Sequence, residues 1–245
     1  MKKQQEVLNK KLMAGIAVGV TLFAVILGAV IYLLDYHKAV ASEEVSNGGS
    51  VVTLFDYGDG VVAYEVSAPK AGIIFYTESK VEYMAYQNLL VSIASRGFTC
   101  LLVEMPLNQP ALGQNEAVAL EMRYPEIQRW YMCGHGSGAK AAAAYAKKNT
   151  DIFEGVILLG GYSSADLNGT GLKVISVYGS EDKVIDGAYK RNRSKLPSDC
   201  AELVIQGGCH AYFGSYGTHP GDGEPTISRA EQYAQAADFI KSNIT

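Results

Sequence analysis

The residues best placed to do chemistry lie in Trp130-Tyr-Met-Cys-Gly134-His135-Gly136-Ser137-Gly138-Ala139-Lys-Ala-Ala-Ala-Ala144. An apolar run enters a Gly-rich turn, and an alanine-rich stretch follows at once. That order reads as strand, tight turn and helix, the layout of a nucleophile elbow. Such a turn lifts one side chain above a sheet and aims helix N-terminal N–H groups at it. Residues two before and two after the tip must be small, because strand and helix backbones nearly touch there. Gly134 and Gly138 meet that demand if Gly136 is the tip. With Ser137 at the tip, the flanking positions would be His135 and Ala139, and a histidine does not fit. The nucleophile slot is therefore expected at Gly136, which has no side chain. Ser137 opens the helix one residue late. It reads either as an N-terminal serine satisfying backbone donors or as a displaced nucleophile.

Two further groups follow in chain order. Asp182 lies in Gly179-Ser-Glu-Asp182 and His210 in Gly207-Gly-Cys-His210, each just after an apolar strand-like run. Nucleophile, acid and histidine in that sequence suit a relay in which the histidine takes the nucleophile's proton. The acid would then fix its tautomer and stabilise the imidazolium. Taken singly, an aspartate in such a turn reads as a helix cap, and a histidine in a Gly-rich loop as surface. His135 reads as packing within the elbow, and His219 as an exposed turn or the border of the site. Cys209, beside His210, reads as a thiolate only if adjacent side chains converge.

Strand-like and helix-like segments alternate around these loops. Val51–Phe55 and Val61–Val66 flank a hairpin turn. Strands are expected at 71–76, 98–104, 155–159, 173–178 and 201–206. Helices are expected at 81–95, 115–123, after the elbow, at 184–194, and from Ser228, where Glu231 completes a capping box. Alternation of this kind predicts a mostly parallel sheet covered on both faces. Only about a dozen residues separate the strand after the elbow from the next, which leaves no room for a cap domain.

Leu12 to Leu34 carries no charged residue, and Lys2, Lys3, Lys10 and Lys11 precede it. The stretch suits one transmembrane helix over residues 12–34, with residues 1–11 cytoplasmic and the rest outside. A cleaved signal sequence ending near Ala39-Val-Ala41 is the competitor, although the apolar run is long for one. Residues 35–50 read as a linker and 51–245 as the folded domain. A formal charge of −4 argues against nucleic acid as a partner. The four cysteines form no disulfide framework or C-x-x-C pair, and no metal site or cofactor is expected.

With these motifs in view, the chain resembles the α/β-hydrolase superfamily, and more narrowly the small bacterial dienelactone-hydrolase-like, membrane-anchored or secreted members. The likeness spans nearly all of residues 51–245. It rests on Gly72-Ile-Ile-Phe-Tyr76, Lys80-Val-Glu82, Met105-Pro-Leu-Asn108, Tyr124-Pro-Glu-Ile127, Gly134-His135, Val177-Tyr-Gly-Ser180 with Asp182, Gly207-Gly-Cys-His210, Pro220-Gly-Asp-Gly223 and Thr226-Ile-Ser-Arg229. It implies an α/β-hydrolase fold and the hydrolysis of small ester or acyl compounds, with Asp182 and His210 as acid and base. The chain departs from the family at two places. Gly136 stands where the family has serine. Thr77-Glu78-Ser79 replaces the Pro-Gly-Gly turn that supplies an oxyanion N–H, and a Glu78 carboxylate there would repel a developing oxyanion. Two expectations stay open: a hydrolase using Ser137, or a non-catalytic hydrolase-fold protein that binds a ligand or partner. An engineered serine-to-glycine change would look the same as the second.

Overall fold

A computed structural model describes residues 2–41 and 49–244, which fall into two units, Met1–Tyr36 and His37–Thr245. The first unit is one helix, α1 (Lys2–Leu34), of 33 residues. Leu12, Ile16, Phe23, Ile26 and Ile31 are all exposed along it, so the helix is apolar all round. It is long and apolar enough to cross a bilayer.

Among the described residues, the second unit is built on eight strands: β1 (Thr53–Asp56), β2 (Val61–Glu65), β3 (Ala71–Tyr76), β4 (Phe98–Val103), β5 (Trp130–His135), β6 (Phe153–Leu159), β7 (Lys173–Gly179) and β8 (Ala201–Ile205). They lie in the order β1-β2-β4-β3-β5-β6-β7-β8; β1 and β2 pair antiparallel, and the strands from β4 to β8 pair parallel. Period-2 alternation sends neighbouring side chains to opposite faces. Ile73, Phe75, Tyr131 and Cys133 pack on one face against α2 (Gln87–Ala94) and α5 (Arg229–Asn243). Ile74, Tyr76 and Met132 pack on the other face, against the alanines of α3 (Ser137–Lys148). Both faces are buried, which is why these strands read as continuous apolar runs. A short helix, α4 (Asp186–Asn192), follows β7, and the capping box of Ser228 and Glu231 starts α5.

Two helical expectations are corrected. Residues 115–123 form turns and a 3-10 segment at Glu121–Arg123, because Ala119 takes φ 60 and breaks the helical path. The expected helix over 81–95 is a 3-10 turn at Tyr83–Tyr86 leading into α2. The body also begins earlier than the expected linker allows. His37 bridges to Val81, the Ala39 N–H donates to Glu82, and the Val40 N–H donates to the Ser215 carbonyl. Residues 42–48 of that linker reading lie outside the described residues.

The chain leaves β3 for β4 on one side and returns to β5 on the other. The carboxyl ends of β3 and β5 therefore flank a topological switch point, where open α/β sheets place their sites. The turn after β3 carries Thr77, Glu78 and Ser79; the turn after β5 carries Gly136 and Ser137.

Candidate active site at the glycine elbow

The elbow frame follows from close backbone contact. A Cβ on Gly134 would stand 2.5 Å from the Gly138 carbonyl carbon, and a Cβ on Gly138 would stand 2.2 Å from the Thr77 oxygen. Only glycine fits at either place. Gly136 is the tip, with φ 52 and ψ −113 as it caps α3, a backbone that glycine adopts at least cost. A Cβ built there would face the His210 ring, with Cε1 at 3.3 Å. The slot is thus aimed at the expected base.

The slot is filled from the neighbouring turn. That same Cβ would lie 1.4 Å from Glu78 Oε2. The glutamate carboxylate occupies the volume a nucleophile's side chain would need. Its Oε2 accepts the Ser137 N–H at 2.8 Å, and its Oε1 accepts the Ser79 N–H at 2.7 Å and the Ser137 hydroxyl at 2.5 Å. The Ser137 Oγ in turn accepts the Ser79 N–H at 2.8 Å and lies 2.7 Å from the Ser79 hydroxyl. The helix N-terminal donor that would hold an oxyanion holds Glu78 instead. The turn expected to repel an oxyanion has supplied a permanent anion.

Asp182 and His210 meet as expected. Asp182 Oδ2 lies 3.0 Å from His210 Nδ1, while Oδ1 accepts the N–H groups of Val184 and Ile185. Asp182 is not a helix cap, since α4 starts at Asp186 with Ile185 before it; its Oδ1 closes the turn that leads there. Asp222 fixes the histidine's loop by accepting the His210 and Ala211 N–H groups. Gln232 of α5 holds Cys209 through both its backbone groups. His210 Nε2 faces Glu78 Oε2 at 3.5 Å and makes no hydrogen bond. Ser137, the tentative nucleophile, is therefore not paired with the base; its proton goes to Glu78.

Electrostatics follow from this packing. Burial opposes a charge on His210, but the bond to Asp182 and the facing Glu78 carboxylate outweigh it and lift the ring to about 9. Burial would also raise the Glu78 carboxyl, yet the facing His210 ring and the nearby His135 hold it below the usual carboxylate range. The base thus sits as an imidazolium between two carboxylates. His135, fully buried, is pushed well below its ordinary value by desolvation and by His210. Its ring lies 4.3 Å from that of His210, and its Nδ1 lies 2.9 Å from the Tyr86 hydroxyl, which also accepts the Glu78 N–H. It packs within the elbow, as expected. His219 borders the site, with its ring 5.1 Å from that of His210. Cys209 is buried and its thiol is pushed up to about 12 by that burial, which removes it as a thiolate.

Tyr86 carried no signal in the sequence, being one aromatic in an apolar stretch. The seating of Glu78 left a fainter trace. One turn carries no side chain at residue 136, and the facing turn carries a long one at residue 78.

A parallel sheet with an elbow after a central strand, and an Asp–His pair behind the last two strands, defines a hydrolase-type α/β protein. The family model described as the alpha/beta hydrolase family matches residues 72–234, and the chain belongs to that family. No curated protein matches the chain. Solved structures share its fold. A predicted CIB-like hydrolase from Thermoplasma acidophilum is 14% identical with a TM-score of 0.55, covering 79% of this chain and 100% of its own. The Thermus thermophilus protein TT1662 is 15% identical with a TM-score of 0.57, covering 79% and 98%. Dienelactone hydrolase from Anabaena variabilis ATCC 29413 is 13% identical with a TM-score of 0.51, covering 79% and 97%.

Proposed function

We propose that this chain is a membrane-anchored, extracytoplasmic hydrolase-fold protein that has kept the Asp182–His210 pair of an ester or acyl hydrolase but holds the site shut. It would bind a ligand or partner at that remnant rather than turn over esters. The observation that carries this reading is the position of Glu78 Oε2 at the place of a nucleophile. Three requirements of acyl transfer fail together: the slot has no hydroxyl, the Ser137 N–H is occupied, and the base is already protonated. Loss of a triad nucleophile alone costs on the order of 10⁶ in kcat.

A second reading has its own observation. The Ser137 hydroxyl donates to Glu78, whose other oxygen faces His210, so Ser137, Glu78, His210 and Asp182 form a chain of contacts. Turnover of a small ester through Ser137 would use Glu78 as its base. A carboxylate this acidic is a weak base, which places this reading second.

A fluorophosphonate probe separates the two. Intact-mass analysis of the folded chain is expected to show no adduct, and p-nitrophenyl ester hydrolysis to match Ser137→Ala. An adduct on Ser137, with turnover lost in Ser137→Ala, would establish the second reading.

What supports the anchoring is the apolar length of α1 and the four lysines before residue 12. Protease added to spheroplasts is expected to digest the folded domain, while everted vesicles protect it. The opposite pattern, or release of the chain by alkaline carbonate, would contradict the assignment.

A further inference from the structure

The elbow holds two buried ring nitrogens without a hydrogen bond, and only that of His210 figures in its acid–base reading. The Nε2 atoms of His135 and His210 are buried and have no hydrogen-bond partner among the described residues. Both histidines are 0% exposed. Leaving such groups unpaired is costly, and native proteins seldom do so without a ligand or a function. The third group at this spot is Glu78. One carboxylate oxygen of Glu78 and one ring nitrogen each of His135 and His210 lie within 4.8 Å of one another.

We infer that Glu78, His135 and His210 form a binding site for a divalent transition-metal cation of the zinc type. Two imidazoles and a carboxylate are an N,N,O donor set that suits Zn²⁺ or Co²⁺. Ligand atoms about 2.0–2.1 Å from a tetrahedral Zn²⁺ stand roughly 3.3–3.5 Å apart. Glu78 Oε2 and His210 Nε2 already lie at 3.5 Å. The His135 nitrogen, within 4.8 Å of both, has at most about 1.5 Å to close.

The outer contacts are those a metal site needs. Metal-binding imidazoles hold their other nitrogen against a carboxylate or another fixed acceptor, and ligating carboxylates are themselves hydrogen-bonded. His210 Nδ1 has Asp182, His135 Nδ1 has Tyr86, and Glu78 Oε1 has Ser79 and Ser137. Each donor side chain is oriented from behind by a different element. Gly136 is part of the design, since any Cβ there would displace the Glu78 carboxylate. The cation would balance Glu78 and Asp182, two carboxylates gathered around one buried histidine.

The test uses the full chain in detergent micelles after chelator treatment. Titration with Co²⁺ is expected to give one tetrahedral-type visible band per chain, which Zn²⁺ displaces. Glu78→Gln should weaken Co²⁺ binding by at least about 100-fold, and Asp182→Asn, acting through His210, by about 10- to 100-fold. Zn²⁺ should raise the Tm of the parent and leave that of Glu78→Gln unmoved, provided the variant keeps the parent's far-UV circular dichroism. Absence of the band at millimolar Co²⁺ would overturn the assignment. So would a band unchanged in Glu78→Gln and His210→Asn. Neither readout requires turnover, so the metal site stands or falls apart from the proposed closure of the ester site.

Discussion

Gly136→Ser alone is expected to stay inert as an esterase, whereas Gly136→Ser combined with Glu78→Gly gains activity. The single change supplies a hydroxyl, but its Cβ arrives 1.4 Å from the Glu78 carboxylate oxygen. Either the serine is forced off its path or the glutamate is expelled while still paired with His210. Glu78→Gly alone frees the Ser137 N–H but supplies no nucleophile. Together the two changes free the N–H and leave the hydroxyl facing His210. That histidine also loses the charge that helped hold it protonated. A nucleophile is worth on the order of 10⁶ in kcat and one oxyanion donor about 10²–10³. Recovery in a foreign setting is partial. We expect kcat/KM on a short-chain p-nitrophenyl ester to rise at least ~10³-fold in the double variant, and less than ~10-fold in either single one. Equal activity in Gly136→Ser and the double variant would show that Glu78 is no obstacle. A folded but inert double variant would show that the slot was never a serine site.

The second large effect concerns stability and pH. His210 titrates in the folded protein at about 9 against an ordinary 6.5, so its contribution is complete below about 6.5 and disappears as pH rises through 9. Glu78 is shifted the other way, from an ordinary 4.5 to about 2, so its contribution is complete above about 4.5 and lost as pH falls toward 2. The pair therefore stabilises fully only between about pH 4.5 and 6.5. His135 works against the acid side, because a ring held neutral by burial favours unfolding as pH drops below its ordinary value. Glu78→Gln is expected to cost about 2–4 kcal/mol at pH 5.5, the scale of a broken buried pair. Near pH 10 the penalty should fall below about 1 kcal/mol, because the imidazole is then neutral in both proteins. Urea unfolding of the full chain in micelles at the two pH values reads the difference. A penalty that is constant or grows with pH would contradict the ion pair.

The sequence carried the scaffold well, for reasons of local chemistry. Ile73 and Ile74 fall on opposite faces because a strand alternates, and both faces are covered, so the run reads as apolar throughout. Gly134 and Gly138 set the elbow frame because a Cβ at either would strike backbone. Ser228 and Glu231 announce α5 by reciprocal hydrogen bonds. Asp182 and His210 were legible for a similar reason, each standing at the carboxyl end of its strand. Glu78 was legible only as a misfit. Its place in the slot depends on a cavity opened 58 residues later by the missing side chain of Gly136. His37 falls in the stretch read as a linker, yet it bridges to Val81 and lies against Tyr216. Residues 115–123 have helical composition, but no composition reveals a backbone reversal at Ala119.

The charge state of His210 tests the central claim most directly. In the metal-free full chain labelled with ¹⁵N, side-chain spectra at pH 7.5 should show both His210 nitrogens protonated, and Glu78→Gln should move that titration downward. A neutral His210 at pH 7.5, unmoved by Glu78→Gln, would mean that no carboxylate holds the elbow.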